Sequence, residues 1–178
     1  MNHDDGISDQ LERLTQYFEQ ASLPYEIAGD DSVVVILAGE HKLRTSALFV
    51  LGRHALSINA FVARRPEQNE ADVHRWLLER NRRMYALAFS LDHLGDIYLT
   101  GRLPLTVLED PSELDRLLGC ILEYADGSFN TLLELGFADA IRREWQWRVS
   151  RGESTANLAS FTHLMDQATV EESPPNHP

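Results

Sequence analysis

The chain has 178 residues, of which 43% are hydrophobic and 25% are charged, a balance typical of one soluble globular domain. Its formal net charge of −12 disfavours a nucleic-acid partner, because nucleic-acid binding depends on Lys and Arg side chains that neutralise phosphates. The single cysteine, Cys120, excludes an intrachain disulfide and a zinc site built from cysteines.

Residues 1–7 are polar and acidic, and they contain neither the basic nor the apolar segment of a secretory leader. The apolar runs of the chain are much shorter than the ~20 residues that a membrane-spanning helix needs. We therefore expect a cytoplasmic protein that does not associate with a membrane, with residues 1–7 as a flexible tail.

A helix and four strands are predicted for the first part of the chain. Ser8 is a suitable N-cap for a helix over residues 8–21, which ends before Pro24 because the residue preceding a proline disfavours helical backbone angles. Strand-like segments follow at residues 25–28, 32–37, 44–51 and 55–63. The short turns between these segments predict an antiparallel meander.

Apolar residues occur on both faces of this predicted sheet. Strand alternation predicts that the more apolar set points to the core, a set that comprises Val33, Val35, Leu37, Leu48, Val50, Leu56, Ile58 and Val62. The opposite set still contains Val34, Ile36, Phe49, Leu51 and Phe61. A sheet with one solvated face carries polar residues there. We therefore expect the second face to be covered in part, by the protein's own tail, a second subunit or a bound peptide.

Residues 65–81 connect the strands to the second half of the chain. Pro66 ends the preceding strand, and Asn69 is a suitable N-cap for a helix with Glu70 and Asp72 in its first turn. The predicted helix has an apolar stripe formed by Val73, Trp76, Leu77 and Met84. A second hairpin is predicted to follow, over residues 86–91 and 96–103.

The clearest helix start in the chain is at Asp110, an N-cap followed by Pro111 in the first helical position and by Glu113, which completes a capping box. Apolar residues at spacings of three and four continue from there to Gly136, a residue suited to a C-cap. Two shorter helices are predicted over residues 137–149 and 155–165.

These elements predict a single domain over residues 8–149. Residues 150–166 form a C-terminal extension with a short docking helix, and residues 167–178, which are acidic and contain consecutive prolines, are predicted to be disordered.

No reactive motif supports an enzyme. The sequence has no Gly-rich phosphate loop, no histidines at metal-ligand spacing and no nucleophile elbow. We therefore predict no catalytic residue, no metal and no cofactor. An enzyme with a pocket built from Glu40, His41, Asp92 and His93 remains an alternative, as does a transcription-related regulator, which the absence of a helix-turn-helix signal weakens.

Two groups of arginines and a pair of tryptophans have two interpretations. The groups are Arg64, Arg65, Arg75, Arg80, Arg82 and Arg83, and Arg142, Arg143, Arg148 and Arg151. They are either solvated faces paired with carboxylates or an interface for a partner. Trp145 and Trp147 carry the same alternatives, because exposed Trp together with Arg is the composition of binding hot spots.

Several strings in the chain resemble the YbjN family, bacterial proteins often labelled sensory transduction regulators or peptide-binding chaperones. The strings are Ala38-Gly39-Glu40, Arg65-Pro66-Glu67-Gln68-Asn69, Trp76-Leu77-Leu78-Glu79-Arg80-Asn81, Gly95-Asp96-Ile97-Tyr98-Leu99, Leu114-Asp115-Arg116-Leu117-Leu118-Gly119 and Gly136-Phe137. The resemblance covers residues 11–149. It implies an α+β fold of the type III secretion chaperone-like class, an antiparallel sheet with helices packed on it in the order α-β-β-β-β-α-β-β-α-α.

The resemblance also implies a non-enzymatic protein, because it brings no catalytic motif. Secretion chaperones of this fold are small, acidic, cytoplasmic homodimers that hold partner polypeptides in extended form on apolar patches. We therefore predict a peptide- or protein-binding chaperone or regulator that holds its partner on an apolar sheet face or in a helix groove.

The predicted contact residues follow from this hypothesis. Phe49, Leu51 and Phe61 supply apolar contacts to the partner, and polar or stacking contacts come from Arg82, Arg83 and Trp145. By resemblance, the middle helix builds a homodimer interface through Val73, Trp76 and Leu77. A variant of the hypothesis has the C-terminal residues Leu158, Phe161 and Met165 fold back and occupy the groove.

Overall fold

The computed structural model describes residues 3–165 of the chain. In chain order the elements are α1 (His3–Gln20), β1 (Tyr25–Gly29), β2 (Ser32–Ala38), β3 (Arg44–Leu51), β4 (Ala55–Ala63), α2 (Glu70–Asn81), β5 (Leu87–Leu91), β6 (Ile97–Pro104), a first 3-10 helix (Leu105–Glu109), α3 (Pro111–Arg151) and a second 3-10 helix (Ala156–Phe161). The strands form one antiparallel sheet in the order β1-β2-β3-β4-β6-β5. Among the described helices, none combines the length and the apolar composition that crossing a membrane requires.

The core lies between one face of the sheet and the helices. Phe18 of α1 meets Phe49 of β3 with ring centres 5.7 Å apart, and both side chains are fully buried. α2 contributes Val73 and Leu77, and α3 contributes Leu114, Leu117, Leu118, Ile121, Ala125 and Leu132. Because helices and sheet each have one apolar side, this layered packing removes both from water.

The predicted orientation of β3 is wrong. Across the ladders, Phe49 stands opposite Val33 of β2 and opposite Ile58 of β4, so these three side chains share the core face. Leu48 and Val50, which were predicted to point inward, therefore lie on the opposite face. Both sets of β3 are apolar, so alternation could not decide between them; the structure buries the aromatic set, which removes more apolar area from water.

The ends of the helices also differ from the predictions. Residues 3–7 are helical although a flexible tail was predicted, because α1 begins at His3. The helix predicted over residues 137–149 is present as the second half of α3, which a kink at Phe137 separates from the first half and which runs to Arg151. Asp110 caps α3 as predicted, accepting hydrogen bonds from the backbone of Ser112 and Glu113. The predicted disordered tail, residues 167–178, lies outside the described residues.

α3 is kinked where the loop before α2 contacts it. The backbone N–H groups of Glu67 and Gln68 donate to the Gly136 carbonyl at 2.9 and 3.1 Å. The Asn69 side chain donates to the Leu135 carbonyl at 3.2 Å. Two carbonyls thus bond outside the helix, and Phe137 between the two halves has φ −141° and ψ 16°.

The same loop restarts the helix. The Gln68 side-chain oxygen accepts a hydrogen bond from the Asp139 N–H at 3.0 Å, which satisfies a donor that the kink leaves free. A Cβ atom at Gly136 would lie 3.0 Å from the Pro66 Cβ, so a larger residue here would require Pro66 to shift. Asn69 was predicted to cap α2, but it adopts a left-handed conformation and makes no side-chain cap.

The second half of α3 forms a small apolar cluster of its own. Ala138 and Ile141 pack with Leu158, Phe161 and Leu164 from the segment after the helix. The C-terminal segment thus folds back onto the second half of α3, with a 3-10 helix over Ala156–Phe161. The prediction that it occupies a groove on the sheet is wrong, because Leu158 and Phe161 belong to this cluster and are buried there.

Candidate functional site

The face of the sheet opposite the helices carries an aliphatic patch on β2 and β3. Its members are Val34, Ile36, Leu48 and Val50, and we call them the outer patch. Val34 stands opposite Leu48 in the ladder, and all four side chains are half-buried. None of them belongs to either apolar cluster of residues 3–165. The outer patch therefore presents apolar surface that the described helices do not cover.

A second apolar feature on this face is the pair Phe61 and Tyr98. They stand opposite each other on β4 and β6, with ring centres 5.5 Å apart in an edge-to-face arrangement. Phe61 is 37% exposed. Lys42 lies beside it, with Nζ 5.0 Å from the ring centre and donating to the Phe61 carbonyl. Burial lowers the pKa of Lys42 to about 8, against an opposing effect of the Asp126 charge.

Both edges of the sheet are protected against pairing with another strand. β1 has five residues and a register shift between Ile27 and Gly29. On the other edge, the Asn81 side chain accepts from the Phe89 N–H at 2.7 Å and donates to the Phe89 carbonyl at 3.1 Å. This amide occupies the backbone groups that an added strand would use. A partner is thus more easily accommodated on the face than at an edge.

The predicted contact residues do not form one surface. Phe49 and Leu51 are 0% and 1% exposed, so the prediction that they contact a partner is wrong; they fill the core. Phe61 is on the outer face of the sheet. Arg82 and Arg83 follow α2 on the helical side, and Trp145 is half-buried against the small C-terminal cluster.

The residues predicted to form a dimer interface also differ in their burial. Val73 and Leu77 are 0% and 4% exposed in the core, so they are not available as a surface, because they are the residues of α2 that pack on the sheet and α3. Trp76 is half-buried, and its ring centre is 6.2 Å from that of Phe89. Leu78 on the same helix is 67% exposed.

A cavity of about 560 Å³ opens between α2, β5 and α3. Trp76, Met84 and Phe89 supply its apolar wall, and three arginines line it: Arg80, Arg82 and Arg83. The Arg80 guanidinium lies over the Trp76 ring at 4.7 Å. Within residues 3–165, none of the three arginines forms an ion pair with a carboxylate. Sequence reasoning selected Arg82 and Arg83 but missed this enclosure, which depends on tertiary packing.

A buried carboxylate on α3 holds the β2–β3 turn. Asp126 Oδ1 accepts hydrogen bonds from the backbone N–H groups of His41 at 2.9 Å and Lys42 at 2.7 Å. Its Oδ2 lies 3.0 Å from Nδ1 of His41. A Cβ atom at Gly39 would lie 2.2 Å from Oδ1, so only glycine permits this close approach.

Two opposing effects set the pKa of Asp126. Burial alone would raise it, but the hydrogen bonds from His41 and Lys42 outweigh burial and lower the pKa below its ordinary value. The sequence analysis missed this contact. The sequence did contain a signal for it, a carboxylate on the apolar side of a helix. Asp126 lies four residues after Leu122 and beside Ala125 on the apolar stripe of α3.

The residues of the alternative enzymatic site do not converge. Glu40 and His41 lie in the β2–β3 turn, whereas Asp92 and His93 lie in the β5–β6 turn. These turns are at the same end of the sheet but three strand spacings apart, or about 14 Å. Asp92 accepts from the N–H groups of its own turn. In the described part of the chain, no group of three His, Cys, Asp or Glu side chains could hold a metal ion.

Two solved protein complexes each contain a chain with a fold similar to this one. A chain in the crystal structure of the ExsC–ExsE complex covers 69% of this chain and 93% of its own length, with a TM-score of 0.51 and 17% sequence identity. A chain of the heterodimeric ExoU–SpcU complex from the type III secretion system of Pseudomonas aeruginosa covers 68% of this chain and 96% of its own, with a TM-score of 0.47 and 16% identity. The predicted α+β, type III secretion chaperone-like fold is confirmed.

The sequence places the chain in a family. The YbjN profile, described as "Putative bacterial sensory transduction regulator", matches residues 10–134, and the chain belongs to the YbjN family, as its strings predicted. An uncharacterized protein of Mycobacterium tuberculosis strain H37Rv is 51% identical over 133 residues, 75% of this chain and 72% of that protein. One of Mycobacterium leprae is 50% identical over 134 residues, with the same coverages. The small C-terminal cluster lies almost entirely beyond the matched region.

Proposed function

We propose that this protein is a non-enzymatic, chaperone-like binding protein that holds an extended, apolar segment of a partner polypeptide. The observation that carries the proposal is the outer patch, Val34, Ile36, Leu48 and Val50, which stays at the surface although the helices pack on the other side. Contiguous apolar surface that a protein's own helices leave uncovered is characteristic of interaction sites. Phe61 and Tyr98 extend the apolar surface toward β6.

Three further observations support this proposal. The solved ExsC–ExsE structure, which contains a chain of similar fold, is a complex of two polypeptides, and this supports a polypeptide partner for the present chain. The protection of β5 by Asn81 disfavours binding by strand addition, so the face of the sheet is the better contact surface. The net charge of −12 favours association with a neutral or basic partner over an acidic one.

The cytoplasmic location and the homodimer are parts of this proposal. α2 is the element that the family resemblance implies at a dimer interface, and its exposed Leu78 replaces Val73 and Leu77 as the candidate apolar contact. Size-exclusion chromatography with light scattering would measure the mass of the protein in solution. A mass of 20.2 kDa would identify a monomer.

The contact surface is tested by photo-crosslinking in the native host. A benzophenone amino acid replaces Leu48 in one variant and Val50 in another, and Arg13, an exposed residue of α1, serves as the control position. We expect a discrete crosslinked polypeptide from both outer-patch positions and none from position 13. The variant Leu48→Asp should abolish recovery of the same polypeptide, because a charge in an apolar contact must lose its hydration.

The far-ultraviolet circular dichroism of Leu48→Asp must match that of the parent protein, which separates loss of binding from loss of folding. Equal crosslinking from Leu48 and Arg13, or retention of the partner by folded Leu48→Asp, would contradict the proposed surface.

A further inference from the structure

We propose that the cavity between α2, β5 and α3 binds a small organic anion with a flat apolar body. This site is separate from the outer patch, because its apolar wall is formed by Trp76 and Phe89 on the helical side of the sheet. The inference therefore does not depend on the proposed polypeptide partner.

The size and wall of the cavity fit a small molecule. A volume of about 560 Å³ is within the usual range of ligand pockets, roughly 300–1,000 Å³. Trp76 and Phe89 offer ring surfaces, and Met84 offers a flexible thioether that adapts to the shape of a ligand. A flat apolar body would gain contact area against these three side chains.

The charged groups at the cavity favour an anion. Arg80, Arg82 and Arg83 contribute three guanidinium groups, and Glu79 and Glu123 contribute two carboxylates. No ion pair connects these residues, so the described part of the chain leaves three positive and two negative groups at one opening. A local positive excess is unusual in a chain of net charge −12. Guanidinium groups bind carboxylates in a planar, two-point geometry.

An unpartnered buried hydroxyl indicates a polar ligand group inside the cavity. Ser128 lines the cavity from α3, is 1% exposed, and its Oγ has no hydrogen-bond partner among residues 3–165. A buried polar atom without a partner is rare in folded proteins, because its lost hydration is not replaced. A ligand oxygen at this position would satisfy Ser128 while the guanidinium groups hold the anionic group.

The segment that follows the cavity residue Met84 is tied to α3. Ala86, two residues after Met84, has φ 58°, a left-handed angle that is uncommon for alanine. The preceding Tyr85 N–H donates to the Tyr124 hydroxyl of α3 at 2.9 Å, which ties this segment to the opposite wall.

The test uses 2-naphthoate as probe and the full chain labelled with ¹⁵N. The three tryptophans give three indole N–H signals in a proton–nitrogen correlation spectrum, and the variant Trp76→Phe assigns the signal of the cavity. We expect saturable movement of the Trp76 signal with a midpoint on the order of 0.1–1 mM, the range for a ligand of this size. The signals of Trp145 and Trp147 are internal controls, because neither residue lines the cavity.

Charge is tested with two probes of the same shape. 2-Naphthalenemethanol is neutral and should bind the parent protein at least about tenfold more weakly than 2-naphthoate. A hydrogen bond to a charged group contributes about a factor of ten to the affinity. Arg82→Glu/Arg83→Glu should lose 2-naphthoate binding and gain binding of 2-naphthylmethylammonium. The matched control is Arg13→Glu/Arg44→Glu, which changes the net charge equally at two exposed arginines away from the cavity.

Equal affinity for the neutral and anionic probes on the parent protein would overturn the proposal, and this comparison needs no variant to fold. Equal movement of all three indole signals, or the absence of saturation at 10-fold the expected midpoint, would overturn it as well. So would a loss of 2-naphthoate binding in Arg13→Glu/Arg44→Glu as large as that in Arg82→Glu/Arg83→Glu.

Discussion

Replacement of Asp126 by alanine removes the acceptor that holds the β2–β3 turn against α3. The carboxylate accepts two backbone N–H groups, from His41 and Lys42, and contacts the His41 ring. Its side chain is 10% exposed, so water replaces these contacts only if the turn moves away from the helix. The alanine variant therefore leaves two backbone donors without partners in a half-buried turn.

The expected loss of stability follows from these contacts. A hydrogen bond to a charged group contributes about 1.5–3 kcal/mol, and the low end applies because the turn is at the surface. Two backbone bonds then give about 3 kcal/mol for Asp126→Ala. In Asp126→Asn, the remaining oxygen still accepts both backbone N–H groups, so a smaller loss of about 1 kcal/mol is expected.

Urea unfolding at pH 7 measures both losses. With a denaturant slope of about 2 kcal/mol per molar, the midpoint of Asp126→Ala should fall by roughly 1.5 M. Asp9→Ala is the matched control, because Asp9 is an exposed carboxylate of α1 for which no ion pair or side-chain hydrogen bond is present in the described chain. Its midpoint should stay within about 0.3 M of the parent value.

The pH dependence gives a second readout. Because folding lowers the pKa of Asp126 below its ordinary value of 3.8, its stabilising effect is present above that pH and is lost as the pH falls below it. Asp126→Asn should lose this acid-dependent part of the stability. A midpoint for Asp126→Ala equal to that of Asp9→Ala, or an unchanged acid dependence in Asp126→Asn, would refute the role assigned to Asp126.

Two further predictions concern the edge strand and the single lysine. Asn81→Ala should lower the free energy of unfolding by about 2 kcal/mol, because two hydrogen bonds to the Phe89 backbone are lost, and hydrogen exchange should show faster exchange of the Phe89 amide. Lys42 should titrate near pH 8 rather than 10.5, because burial disfavours its charged form. As the only lysine, it gives one set of signals in a protein labelled with ¹³C-lysine, and Phe61→Ala should move its midpoint toward 10.5.

The controls for these predictions come from the same chain. Asn59→Ala removes an exposed asparagine of β4 and should leave the Phe89 amide protected. An equal exchange rate of the Phe89 amide in the parent protein and in Asn81→Ala would contradict the edge contact. For Lys42, stability should rise as the pH increases from about 8 toward 10.5, since the penalty for the buried charge disappears in that interval. A midpoint of 10.5 in the parent protein would contradict the described burial.

Local sequence was sufficient for much of the fold. Turn lengths and β-branched runs predicted the meander, and the Asp110–Pro111 start predicted α3 because a cap acts within one turn of its helix. The strings around residues 65–81 and 95–99 placed the chain in the YbjN family. These signals involve residues close in sequence, and they act before distant parts of the chain meet.

Residues far apart in sequence decided the rest. Whether Phe49 or Leu48 entered the core depended on Phe18 of α1, which fills the space against the Phe49 ring. Likewise, Gly136 and Gln68 interrupt α3 only because a loop almost 70 residues away in sequence bonds to the helix. Neither contact can be read from a sequence pattern within the helix or strand that it involves.

The candidate sites show the same division. The sequence alone determined an acidic α+β chain of the YbjN family, without a reactive motif, and it drew attention to Arg82, Arg83 and Phe61. Tertiary structure decided that Phe61 and the arginines lie on different sides of the sheet, and that Asp126 meets His41. The physical reason is that periodicity records which residues are apolar, whereas pairing across the sheet and packing of helices decide which apolar and charged groups share a surface.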